Sequence, residues 1–138
     1  MPYQNYFTHL ECSANGARHE KDQPWNLSDG GKPLLARYDL EAAKPHLDRD
    51  EIWAREGGFW KWRELLPVAS DDDVVALGEI DTPLIDVPAT MRASGGTGRL
   101  IVKDEGRLPT GSFKARGLAL AVAMARSFGL SRLAMPTN

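Results

Sequence analysis

Hydrophobic and polar positions along the chain change character more than once. Through about the first thirty residues no period holds; polar residues and glycines dominate, and Leu10, Trp25 and Leu27 are the expected buried points. From Tyr38 to Pro67 the pattern turns helical in pieces. Residues 40–44 give a short turn stopped by Pro45, and Asp48 or Asp50 caps a second segment carrying Ile52, Trp53 and Glu56. Gly57 and Gly58 break that segment, and Phe59, Trp60, Trp62, Leu65 and Leu66 follow as an aromatic-rich amphipathic turn ended by Pro67. Such a cluster could serve as a stacking platform for bases. With acidic residues interleaved and no basic groove, it reads instead as the face that docks residues 1–67 onto residues 68–138.

The second half is more regular. Asp71, Asp72 and Asp73 read as a solvated loop, residues 74–77 as a strand, and Gly78 as the start of a turn. Residues 91–98 are a glycine-rich connection with no assignable chemistry. A βαβ unit is expected next: a strand over 100–102, a helix over 113–128 stopped by Gly129, and a strand over 132–135. A right-handed crossover would lay the two strands parallel. The helix is apolar nearly all round, which suits burial between a sheet and another layer.

Between that strand and helix, Pro109, Thr110 and Gly111 mark a turn and Ser112 is a good N-cap. Lys114 therefore falls in the first helical turn, near the carboxyl end of its strand, where open α/β sheets bind ligands. A helix N-terminus favours anions over an ammonium, so the position asks for an explanation. A lysine that attacks a carbonyl must first lose its proton, and a positive local field assists that loss. A surface lysine with its stem over the helix explains the position as well, and on position alone is preferred. Lys103, Glu105 and Arg116 are the charged candidates around Lys114; solvated charges at a strand end and helix start are the alternative, preferred for Arg116.

Composition narrows the classes. With 42% hydrophobic and 26% charged residues the chain is ordinary globular protein of about one domain's length. A formal charge of -2 argues against nucleic acid as the main partner. The single cysteine, Cys12, excludes an internal disulfide framework and fits a reducing compartment. Residues 1–15 lack a basic start followed by an apolar core, and the apolar run over 118–125 is far shorter than the roughly 20 residues that cross a bilayer. The expectation is a cytoplasmic protein with no membrane contact.

The motif around Lys114 reverses the preference for a surface lysine. Pro109-Thr-Gly-Ser-Phe-Lys-Ala-Arg-Gly117, preceded by Lys103-Asp-Glu105, closely resembles the lysine segment of the fold-type II pyridoxal-phosphate enzymes, and among them the threonine synthases. Leu77-Gly-Glu-Ile-Asp-Thr-Pro-Leu84 and Pro33-Leu-Leu-Ala-Arg-Tyr-Asp-Leu40 resemble two further segments of that family, in the same order. A long, ungapped match of this kind is far more specific than a lone GxGxxG. The resemblance implies an α/β fold: an incomplete fold-type II enzyme fold with a parallel sheet and helices, begun over 68–138 and preceded over 1–67 by a degenerate zinc-ribbon-like extension. It implies a pyridoxal-phosphate-dependent lyase of threonine biosynthesis that converts O-phospho-L-homoserine and water to L-threonine and phosphate, homodimeric at full length. Lys114 would carry the cofactor as its Schiff-base lysine, and Ser112 could also face the cofactor.

Departures from the family pattern are informative. Where extended members carry Cys-x-x-Cys-Gly, this chain has Cys12-Ser-Ala-Asn-Gly16, and no cysteine occurs over 27–33, so a metal-free module is expected. Ile80 replaces a usual glycine and would be strained if that glycine holds a positive φ. Ala115 stands where many threonine synthases have aspartate, which keeps a threonine or serine dehydratase open as the alternative. A non-catalytic relic is the reading from another class, against which the intact lysine motif stands. A truncated form of a longer enzyme reconciles these features. In the family the ring-contacting asparagine and the glycine-rich phosphate loop would lie beyond Asn138, so the chain by itself is expected neither to hold the cofactor tightly nor to turn over substrate.

Overall fold

A computed structural model describes residues 4–135. The chain is α/β, and both of its small sheets are antiparallel. The first has strand order β2-β1-β3, formed by β1 (Phe7–Cys12), β2 (Arg18–His19) and β3 (Leu34–Tyr38). Its buried points are Tyr6, Phe7, Cys12 and His19, whereas Trp25 and Leu27 are 36% and 44% exposed and Leu10 is half-buried. The expected anchors of this region are thus corrected. The two ends of β1 turn inward, and Trp25 lies edge-on against His19 at its periphery.

Helix α1 (Leu40–Ala43) begins at Asp39, whose carboxylate accepts from the Ala42 N–H. Of the two candidate caps for α2 (Arg49–Ala54), Asp48 is the one used; its carboxylate accepts from the N–H groups of Asp50 and Glu51, both at 2.9 Å. The aromatic segment is a 3-10 stretch over Gly58–Leu65, kinked at Trp62. A second sheet pairs β4 (Leu84–Asp86) with β5 (Ile101–Lys103), and α3 (Pro88–Ala93) lies between them in sequence. Helix α4 (Lys114–Ser127) closes the described fold.

Helix α4 ends as its sequence predicts. Gly129 sits at φ 70°, its N–H donates to the Arg126 carbonyl, and the Leu130 N–H donates to the Ala125 carbonyl, a Schellman closure. The parallel βαβ unit does not form. β5 pairs with β4, residues 131–135 are irregular, and Leu133 is 49% exposed. The connection through α3 folds the chain back, so β5 meets its nearest upstream strand head to tail and with only three residues on each side. Nor is there a strand over 74–77: with no partner ladder available, Val74 packs on the core around Trp60 instead.

That core joins Trp60, Leu66 and Val68 to Ala119 and Ala123 of α4, with Phe59, Leu120 and Met124 around it. Alanines four residues apart, at 115, 119 and 123, put a low ridge on one face of α4 against which the broad indole of Trp60 can lie close. The aromatic segment therefore does dock onto the following part of the chain, but only in part. Trp62 and Trp53 face outward, 38% and 69% exposed, and the buried Lys61 ammonium lies 4.5 Å from the centre of the Trp53 ring. The face of α4 that carries Lys114, Leu118 and Ala121 is exposed, as are Leu84, Ile85, Ile101 and Val102 of the second sheet. Burial on both faces, expected from the all-round apolar sequence, is met on one. Among the described residues no helix is long and apolar enough to cross a membrane.

Candidate functional site

Lys114 is the first residue of α4 and is exposed. The turn before it is built from the Gly111 N–H, which donates to the Leu108 carbonyl at 2.8 Å, with Gly111 at φ 66°. Ser112 does hold the helix start, one residue earlier than a formal N-cap: its Oγ accepts from the Lys114 N–H at 3.3 Å, while Phe113 occupies the cap position without a side-chain bond. The N–H groups of Ala115 and Arg116 donate to the carbonyls of Ser112 and Phe113, so the first turn is tight. Among the described residues the Lys114 ammonium has no side-chain partner. An exposed primary amine at the start of a 14-residue helix fits attachment to a carbonyl group that also bears an anion.

The charges around it are not scattered in solvent. Arg116 grips Glu105 with two prongs, Nε to Oε2 at 2.6 Å and Nη2 to Oε1 at 2.9 Å. The same Nη2 donates to Thr82 Oγ1 at 3.2 Å and to the Ile80 carbonyl at 3.3 Å. Thr82 is buried; its hydroxyl donates to Glu105 Oε1, and Lys103 Nζ donates to the hydroxyl in turn. Lys103 also lies 3.3 Å from Glu105. This network overturns the reading of Arg116 as a solvated charge and joins Glu105 to it, while Lys103 stays half exposed. The sequence offered a signal that pairwise reading missed: a carboxylate flanked by two cations, plus a threonine in a separate motif, in a chain whose turn folds them together.

The Arg116 guanidinium, followed by the Thr82 hydroxyl and Lys103, holds the Glu105 carboxyl down to about 2, against an ordinary value of 4.5. A depressed carboxylate contributes stability that is fully present above its unfolded value and is lost as pH falls through its folded value. Acid titration followed by tryptophan fluorescence is therefore expected to show a stability loss between pH 4.5 and about 2. Glu105→Gln should flatten that limb; an unchanged acid limb in the variant would show that the network does not contribute.

Beside the network, on the side of Arg116, lies an open hollow of about 620 Å³. Trp53, Phe59, Trp62 and Leu84 wall it, and Lys61 pairs with Asp81 across its base at 2.8 Å. Lys114 does not line it. Residues 114 and 116 are two apart, hence about 200° apart around a helix of 3.6 residues per turn, so one faces the hollow and the other away.

In the first sheet, Cys12 Sγ lies buried 3.3 Å from Ser28 Oγ. That hydrogen bond, with backbone N–H groups of Ala14 and Asn15, draws the thiol below its ordinary range. Among the described residues no group of three or more His, Cys, Asp or Glu is placed to hold a metal. Ile80 carries no positive φ, so the expected strain at that position is absent; the positive φ belongs to Gly78. Asn138 lies outside the described residues.

No protein-family model matches the chain, and no solved structure matches it. Curated relatives do. Over 119 residues the chain is 34% identical to a threonine synthase of Methanocaldococcus jannaschii, a match covering 86% of this chain and 29% of the relative. A threonine synthase of Methanosarcina acetivorans is 32% identical over 127 residues, 91% of this chain and 30% of the relative. One from Mycobacterium leprae is 46% identical over 68 residues, 49% of this chain and 18% of the relative. The chain is thus a relative of the threonine synthases, matched along most of its own length and along less than a third of theirs.

Proposed function

We propose that this chain is part of a pyridoxal-phosphate-dependent threonine synthase that forms L-threonine and phosphate from O-phospho-L-homoserine and water. The observation that carries the reading is an unpaired, exposed Lys114 at the start of α4, inside the motif over 109–117, in a chain similar to threonine synthases. The fold-type II assignment, with residues 1–67 as a ribbon-derived extension and residues 68–138 as the start of the cofactor domain, belongs to the same proposal. So do an amino-acid phosphate as substrate, a cytoplasmic setting and a homodimer at full length.

When bound, pyridoxal phosphate supplies the electron sink that stabilises negative charge on the substrate carbon skeleton. Lys114 Nζ would hold the cofactor's carbonyl carbon, yield it to the substrate amine, and then take and return protons as a general base and acid. Ser112 fixes the helix start beneath it through the Lys114 N–H, and in this reading its hydroxyl contributes to the cofactor's surroundings. Ala115, which replaces an aspartate common in the family, is 4% exposed and packs in the core, a place where an unpaired carboxylate would be costly.

The full-length protein, supplied with pyridoxal phosphate and O-phospho-L-homoserine, is expected to release phosphate and threonine in equal amounts. A protein that instead deaminates threonine or serine to an oxo acid, and leaves phosphohomoserine untouched, is a dehydratase and overturns the substrate assignment.

A further inference from the structure

Three stretches that are distant in sequence meet at one guanidinium. Residues 80–82 contribute the Ile80 carbonyl and the Thr82 hydroxyl, the end of β5 contributes Lys103 and the 3-10 turn after it Glu105, and α4 contributes Arg116, two residues beyond Lys114. Beyond the Ser112 hydroxyl, which accepts from the Lys114 N–H, and the buried Ala115, the first turn of α4 has little of its own to hold it. Its cap position bears no side-chain bond, its N–H groups reach only three residues back, and its exposed face carries Phe113 at 67% exposure. Helix ends of this kind fray.

We infer that Arg116, gripped by Glu105 and Thr82, is a positioning residue that sets the rotation of the first turn of α4 and thereby presents Lys114 on the open face. The geometry requires the two side chains to diverge. With Arg116 drawn toward residues 80–82 and 105, and Ala115 buried beside it, Lys114 is turned away from the network. The grip is stiff because a planar guanidinium meeting a carboxylate at two points fixes an angle as well as a distance, which an ammonium cannot do. It also occupies both oxygens of Glu105, so Lys114 does not compete for that carboxylate. Thr82 completes the arrangement by bonding to all three charged groups.

The role bears on catalysis only if Lys114 is the cofactor lysine, as proposed above, so the test has an arm that needs no cofactor. In the cofactor-free protein, amide hydrogen exchange at Ala115, Arg116 and Gly117 is expected to accelerate at least about tenfold in Arg116→Gln and in Glu105→Gln, with exchange over 123–127 unchanged. The double variant should be no faster than either single one, since the two residues form one unit. Arg116→Lys, the milder change and the fallback if Arg116→Gln does not fold, should give a smaller acceleration at the same amides. Unchanged exchange at these amides, or additive effects in the double variant, overturns the inference whatever the cofactor does.

In the full-length protein loaded with pyridoxal phosphate, the same variants are expected to lower kcat about tenfold or more while KM changes less than about twofold, because binding is retained and alignment is lost. The circular dichroism of the bound cofactor's visible band should weaken in parallel, and Arg116→Lys should restore part of both signals. Normal kcat and normal visible dichroism in variants whose first turn exchanges fast would make the network purely structural and overturn the positioning role. If the unaltered protein takes no cofactor at Lys114, it is the proposed function that fails, and the exchange measurements still decide the network.

Discussion

Lys114→Ala in the full-length protein should abolish the visible absorbance of bound pyridoxal phosphate and lower turnover by at least about a thousandfold, because one amine is asked both to hold the cofactor and to move protons. Proton transfer by a positioned group alone is worth about 10²–10⁴ in rate, and loss of covalent attachment adds to it. Lys103, the nearest lysine in the sequence, is not a ready substitute. Its Nζ is engaged with Thr82 and Glu105 on the other side of the helix start from Lys114. Borohydride reduction of the unaltered holoenzyme, followed by peptide mapping, should place the adduct on Lys114. An adduct on another lysine, or a coloured and active Lys114→Ala variant, would mean that the chemistry lies elsewhere.

The second large effect is on folding. Gly58→Ala is expected to destabilise the protein by about 3 kcal/mol or more, in the upper range for overpacking. The backbone of residues 79 and 80 crosses directly over Gly58: an added Cβ would lie 1.9 Å from the Glu79 carbonyl oxygen and 2.8 Å from Ile80 Cα. These atoms are backbone and cannot swing aside. They are held where they are because the Phe59 N–H donates to the same Glu79 carbonyl at 2.8 Å, so relieving the clash breaks a hydrogen bond that ties the aromatic segment to the loop ahead of Thr82. Urea denaturation followed by tryptophan fluorescence measures the shift, with Gly30→Ala as the control, since nothing lies within 4 Å of a Cβ there. Equal midpoints for the two variants would show that the crossing is not as close as described.

The same Gly58 shows how far a sequence can be read. As part of a Gly-Gly pair it is legible as a break between two helical segments; the break is there, but α2 already stops at Ala54, and Gly57 at φ 106° precedes a 3-10 stretch that Gly58 begins. Its closeness to residue 79 is written nowhere in its own neighbourhood. Trp60 and Trp62 make the same point. Both belong to one aromatic pattern, and two positions apart on a helical stretch they must face opposite ways, but only the tertiary structure decides that Trp60 is the one buried on the alanine ridge of α4 and Trp62 the one that faces the open hollow.

What the sequence by itself determined is what a few consecutive residues can encode. The turn before Lys114, the span of α4 to within one residue at each end, a cap for α2 at Asp48 or Asp50, of which the structure uses Asp48, and the Gly129 stop all rest on local sterics and hydrogen bonds between near neighbours. The lysine motif, and with it the similarity to threonine synthases, is likewise a contiguous string. The tertiary structure alone decided the rest. It made both sheets antiparallel, left residues 74–77 and 131–135 without a ladder, turned Lys114 away from the hollow, and brought Thr82 and Glu105 to Arg116 across 34 and 11 residues of sequence. Strand partners and side-chain networks are set by which distant segments lower the free energy together, and a period of two or 3.6 along one segment carries no information about which other segment that is.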